Sequence, residues 1–193
     1  VSTDWEQRLI GQLEPILMQQ DPRPQMSAYH DMPYAIFRYS PEDEFAVRKG
    51  VTLLRTRLEQ AGKRVTTISL AECMQAGLDA ENLGPAELVA TEKAMGLQAT
   101  IDTVHEIIST YQPLDDLVAA RLPEVAEPER DIVFIVRAGA LFPMYRTSSL
   151  LEQLKGKVPV PAVLFYPGEL DGAAGLRFMG VLDAEHNYRP KIF

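Results

Sequence analysis

The sequence has a single cysteine, Cys73. One thiol excludes an internal disulfide and any cysteine-based zinc cluster built within one chain, because both need at least a second sulfur. No Cys-His-Asp spacing surrounds it to activate the thiol, so Cys73 is expected as a small buried hydrophobe. Long apolar runs are missing too: none approaches the roughly eighteen residues of a membrane span. Residues 1–20 alternate charged with apolar side chains, unlike a signal peptide. A chain without a membrane segment, most simply cytoplasmic, is the expectation. Basic charge is in short supply, with 19 Lys and Arg against 27 Asp and Glu and a net charge of -8. That balance opposes a surface that grips nucleic acid by counterion release, so direct DNA binding is not expected. The second half is more basic, with Arg121, Arg130, Arg137, Arg146, Lys155, Lys157, Arg177, Arg189 and Lys191, but acids are interspersed among them.

Also missing is a phosphate loop. A Walker loop needs G-x-x-x-x-G-K-[ST], so that free amides and a lysine cradle phosphate oxygens. The first strand-to-helix turn reads Arg38-Tyr39-Ser40-Pro41-Glu42-Asp43-Glu44, which has no glycine, a proline without an amide hydrogen, and carboxylates where phosphate would sit. ATP hydrolysis by that route is excluded. His105 lies on a helical stretch with no His, Glu or Asp four residues on, so no metal pair forms there. No metal or other cofactor is expected. Nothing repeats at a fixed period, and there is no low-complexity tract.

What is present suits one globular domain over residues 1–193, with 46% hydrophobic residues to fill a core. Thr3 and Glu6 read as a capping box that opens a helix with Trp5, Leu9, Leu13, Ile16 and Leu17 on one stripe. Residues 33–39 read as a strand, followed by a helix that Ser40 and Pro41 start and that turns Phe45, Val51, Leu54 and Leu58 inward. Residues 64–70 alternate as the next strand, so the chain opens strand, helix, strand, as parallel sheets do. A helical insertion around residues 84–122 follows. Within it residues 88–111 form one long helix with Met95, Ile101, Val104, Ile108 and Tyr111 along its apolar face.

Residues 131–172 organise the rest. Two short runs rich in Val, Ile and Phe, 131–136 and 159–165, flank about a dozen helix-like residues and read as neighbouring buried strands of a parallel sheet. One run ends on Arg137-Ala-Gly and the other on Tyr166-Pro-Gly, and residues 176–179 offer a further strand. In open sheets of this kind, ligands and partners meet the loops at the carboxyl ends of the strands. Those loops carry Arg137 and Arg146 on one side and Glu169 and Asp171 on the other. The fold class is therefore α/β, three-layered, with a mainly parallel sheet and helices on both faces. Its order of elements resembles a degenerate P-loop or AAA-like core, an analogy of fold that carries no activity.

The run from Val136 to Arg146, then Leu164-Phe165-Tyr166-Pro167-Gly168 with Asp171-Gly172, then Phe178 and Gly180, then Asn187-Tyr188-Arg189, resembles the BrxB family of BREX (bacteriophage exclusion) systems. The resemblance is sharpest over residues 132–193. It implies a cytoplasmic part of an antiviral defence operon that also encodes a large ATPase (BrxC), an adenine-specific DNA methyltransferase (PglX) and an alkaline-phosphatase-like protein (PglZ). It brings no catalytic residues, and it makes PglZ the expected direct partner, with BrxC and PglX behind.

Two functions fit these residues. The first is a non-catalytic binding or assembly module, in which Arg137, Arg146, Tyr166, Asp171 and Arg189 hold the carboxyl-end loops together through ion pairs. Phe142 and Tyr145 then stand exposed nearby as anchors, since aromatic and Arg side chains dominate interfaces. The alternative is a small-ligand binder or enzyme, with Arg137, Arg146 and Arg189 around an anion such as a nucleotide, and Glu169, Asp171 or His186 in acid-base work.

Overall fold

In the computed structural model, which describes residues 3–27, 33–173, 175–186 and 190–193, the apolar runs of the sequence become adjacent parallel strands. The strands are β1 (Tyr34–Tyr39), β2 (Arg64–Ser69), β3 (Asp131–Val136), β4 (Ala162–Asp171), β5 (Gly175–Phe178) and β6 (Lys191–Ile192). They lie in the order β2-β3-β4-β1-β6, every neighbouring pair parallel, while β5 turns back antiparallel on β4. The sheet is open and its strands are covered on both faces, which is why β3 reads as an unbroken apolar run rather than an alternation.

The two faces separate residue by residue. From β1, Tyr34 and Ile36 enter one core, and Ala35, Phe37 and Tyr39 enter the other. Val133 and Ile135 of β3 and Ala162, Leu164 and Tyr166 of β4 share the first; Ile132, Phe134, Val163 and Phe165 share the second. The second face is sealed by the N-terminal helical run and by α4. That run is α1 (Asp4–Arg8), a π turn (Leu9–Leu13) and α2 (Glu14–Leu17); α3 (Arg23–Met26) follows, and α4 spans Glu44–Gln60. All five apolar residues expected on the first helix are buried there, and Phe134 meets Phe165 edge-on at 5.2 Å. The first face is sealed by α5 (Leu70–Ala80), α7 (Leu97–Glu106), α8 (Leu114–Ala119) and α9 (Thr147–Gln153), with Cys73 fully buried in it as expected.

Four expectations change. Phe45 does not point inward; it is 74% exposed. The buried stripe of α4 is Val47, Val51, Leu54 and Leu58, a spacing of four, three and four that leaves position 45 on the outer side. Residues 88–111 are not one helix: α6 (Pro85–Met95) ends at Gly96, whose φ of 87° lies in the left-handed region, and α7 starts afresh. Met95 and Tyr111 consequently face solvent, at 68% and 59% exposure. Tyr166-Pro167-Gly168 does not end β4. The strand bends there and continues as one arm of the β4–β5 hairpin, with Gly168 paired to Phe178. A β-carbon at Gly168 would collide with the Tyr166 ring and lie 2.5 Å from the Arg177 carbonyl oxygen, so only glycine fits the bend. Ser40 makes no side-chain cap; a 3-10 turn, Pro41–Asp43, leads into α4 instead. Among the described residues no helix is long and apolar enough to cross a membrane.

Candidate functional site at the carboxyl edge of the sheet

Two hollows lie at the carboxyl ends of the strands, and a third lies between the N-terminal helical run and α4. The first is a crevice of about 330 Å³ with Tyr39, Glu44, Arg48, Ser69, Glu72 and Arg137 among its walls. It holds a charge relay that β1 and α4 build between them. The Tyr39 hydroxyl donates to Glu44 Oε2, and Arg48 Nε donates to Glu44 Oε1 at 2.8 Å. Burial, and then the bond to Glu44, push the Tyr39 phenol far above its ordinary value, so it stays a neutral donor. The one carboxylate of the turn that faces this crevice is therefore already satisfied.

Arg137 ends β3 with φ 63° and ψ 34°, the left-handed region that costs a branched-out side chain about 1 kcal/mol. Its guanidinium has no hydrogen bond or ion pair among the described residues. A non-glycine residue held in that conformation with its side chain unengaged marks a candidate functional position.

The other expected site residues are dispersed. Arg146 pairs with Glu185 at 2.7 Å on the surface and is not part of the crevice that Arg137 lines. Asp171 pairs with Arg177 at 3.2 Å across the hairpin. Tyr145 is not an exposed anchor. It is 6% exposed and lies 5.9 Å from the His105 ring, and burial raises its phenol. His105 in turn bonds the Met144 carbonyl through Nδ1 at 2.9 Å, which makes it a structural residue of α7. Phe142 is half-buried with its ring 6.0 Å edge-on from Phe178. Tyr166 is wholly buried, 5.4 Å from the same ring. Phe142 and Tyr166 pack under the hairpin because β5 folds back over them, whereas Tyr145 lies against α7 and lines a separate hollow with Asp115 and Ser149. Arg189 lies outside the described residues. Glu169 and His186 are exposed and share no cavity.

Two hollows were not anticipated. A cavity of about 270 Å³ beside the β1–α4 turn has Trp5, Arg8, Arg38, Ser40, Asp43 and Glu169 in its walls. The signal for it is in the sequence: Arg38 interrupts an otherwise apolar strand near its carboxyl end. The other is an apolar groove of about 320 Å³ between the N-terminal helical run and α4, where Ile10, Phe45 and Leu53 stand 55%, 74% and 59% exposed around Trp5, Leu9 and Gly50. Its residues belong to two helices whose outer faces meet only when both pack on the sheet, so no sequence window contains it.

Comparison with known proteins gives a consistent family. No solved structure matches the chain. A curated relative, BREX protein BrxB of Bacillus cereus (strain H3081.97), is 27% identical over 174 residues, covering 83% of this chain and 82% of the relative. The family model described as BREX protein BrxB matches residues 66–192, from β2 through β6. With well over half of its residues in that match, the chain belongs to the BrxB family of BREX proteins.

Proposed function

We propose that this BREX component is a non-catalytic assembly module: it holds a partner protein through the apolar groove and so supports phage exclusion and host DNA methylation in the cytoplasm. The observation that carries this reading is the groove itself. Exposed large apolar side chains scattered singly need no explanation, whereas Ile10, Phe45 and Leu53 are gathered around one hollow floored by Trp5. Interfaces are anchored by aromatic and aliphatic residues in such pockets, with a charged rim. The rim here carries Lys49, exposed and without an ion pair among the described residues, which suits an acidic residue beside the partner's apolar anchor. The partner expected first is PglZ, as the family resemblance implies, with BrxC and PglX after it.

The non-catalytic part is supported by the turn after β1, where Glu44 is engaged by Tyr39 and Arg48 and Glu42 and Asp43 flank it. It is also supported by the separation of Arg137 from Arg146, which leaves the expected arginine pocket unassembled from those two. Co-purification of the tagged chain with PglZ, BrxC and PglX from a co-expressed operon tests the reading. Recovery of PglZ supports it. No association with any of the three, or ATP turnover by the purified chain above a buffer control, overturns it.

A further inference from the structure

The cavity beside the β1–α4 turn gathers hydrogen-bond donors that the described residues do not satisfy. Arg38 Nε and Trp5 Nε1 are both buried without an acceptor, and both residues line this cavity. Buried polar atoms are nearly always paired, so two orphans in the wall of one cavity ask for a ligand. A third donor group sits with them. Arg8 is held by Nη1 on the Arg38 carbonyl oxygen and by Nε on Asp4, both at 2.9 Å, with its guanidinium 5.2 Å from the centre of the Phe37 ring. α1 and β1 thereby bring two guanidinium groups to one cavity, with that of Arg8 held in place. Burial, and then the charge of Arg8, hold Arg38 below the ordinary arginine value, as expected of a cation short of a counter-ion.

The carboxylates in the wall define the rest of the ligand. They are Asp4, Asp43 and Glu169; Asp4 is bonded to Arg8, and none of them lies within ion-pair distance of Arg38. Asp43 and Glu169 are acceptors without an ion pair among the described residues, in the same wall as those donors. An oxyanion alone would use the donors and leave these acceptors idle. A molecule with an oxyanion at one end and hydroxyl groups beyond it uses both sets.

We propose that this cavity binds a small hydroxyl-bearing phosphorylated molecule of sugar-phosphate size, with Arg38, Arg8 and the Trp5 indole on the phosphoryl oxygens and Asp43 and Glu169 on the hydroxyls. Arg38 presents a planar fork that matches two oxygens at once, which lysine does not. The cavity shares only Trp5 with the apolar groove, so Arg38 can be changed without altering a groove residue.

The chain has a single tryptophan, so the indole N–H of Trp5 gives one unambiguous side-chain resonance, and the Arg38 variants separate the cavity from the groove that Trp5 also lines. The ¹⁵N-labelled chain is titrated with ribose 5-phosphate, inorganic phosphate and ribose, each against potassium chloride at matched ionic strength. The expected result is a saturating shift of the Trp5 resonance with ribose 5-phosphate, a weaker saturating shift with phosphate and none with ribose. Arg38→Met should abolish saturation, and Arg38→Lys, which keeps the charge and the stem if the first variant does not fold, should weaken it by about tenfold. A resonance that only drifts as it does in chloride, so that the cavity holds solvent alone, overturns the proposal. So does equal binding by Arg38→Lys. Failure of co-purification leaves this titration untouched, and the reverse holds as well.

Discussion

At the scale of single residues, the ion pair at the head of the sheet and the arginine at its other end obey opposite logic. Asp131 is buried, and its carboxylate receives Arg64 Nε and Nη2 at 2.7 Å each and the Glu127 amide at 2.7 Å. Arg64 and Asp131 are also register partners of β2 and β3, so this pair fixes the alignment of two parallel strands at their first residues. Burial by itself would raise the carboxyl, but the Arg64 bonds and the Glu127 amide outweigh it and hold the group below its ordinary value. A carboxylate whose folded value is depressed contributes stability that is complete above the unfolded value of about 3.9 and is lost as pH falls through the lower folded value. Asp131→Asn is therefore expected to lower stability at pH 7 by about 2 kcal/mol and to flatten the acid limb of the stability curve, as measured by urea unfolding between pH 2 and 7. Arg137 behaves differently: it holds a left-handed backbone, its carbonyl accepts from the Ala140 amide, and its guanidinium makes no hydrogen bond or ion pair among the described residues. Arg137→Gly should leave stability unchanged or raise it by up to about 1 kcal/mol in the same assay. A loss of more than that would mean that Arg137 supports the fold rather than serving a ligand or partner.

At the scale of elements, the contact between the N-terminal helical run and α4 rests on Gly50. A β-carbon there would lie 2.8 Å and 3.0 Å from two carbons of the Trp5 ring. Helix propensity favours alanine over glycine by about 0.5–1 kcal/mol at such a position, but an indole locked in a packed interface cannot give way, and overpacking costs about 1–3 kcal/mol. The clash wins, so Gly50→Ala is expected to be destabilising by about 1 kcal/mol in chemical denaturation, and to broaden the Trp5 indole resonance as the helix is pushed off. α6 presents the contrary case, for none of its residues is buried. The sequence pattern joins it to α7, because Met95, Ile101, Val104 and Ile108 keep a helical spacing across Gly96. The missing information was the direction of the chain after the glycine, which the packing on α5 of the π turn (Ile107–Tyr111) that continues α7 imposes.

At the scale of the whole molecule, the groove and the carboxyl-edge cavity both arise where the N-terminal helical run crosses the end of β1 and the start of α4. Phe45 is exposed and belongs to the groove alone. Phe45→Asp should leave the unfolding free energy within about 0.5 kcal/mol of the parent, as surface substitutions do, and should abolish recovery of PglZ in co-purification. Retention of PglZ by a folded Phe45→Asp chain would move the interface away from the groove. The family match places the chain in BREX, yet it begins at Thr66, after β1 and α4. The surfaces on which both functional proposals rest are therefore mostly built by the part that precedes the match.

The amino-acid sequence determined the class of fold: short apolar runs that alternate with amphipathic ones are buried as a parallel sheet covered on both faces, and the turn after β1 lacks the glycines and lysine of a phosphate loop. Apolar periodicity is local, and so it was legible. Which side chains share a hollow depends on contacts between residues far apart in the chain. For that reason the tertiary structure alone showed that Phe142 and Tyr166 are packed under the hairpin, that Tyr145 is buried against α7, that Phe45 is outside, and that Arg8 and Arg38, rather than Arg137 and Arg146, line one cavity. The fold of β5 over β4 and the crossing of α1 over β1 decided those neighbours, because each side chain follows the element that carries it and the elements are placed by the burial of their other faces.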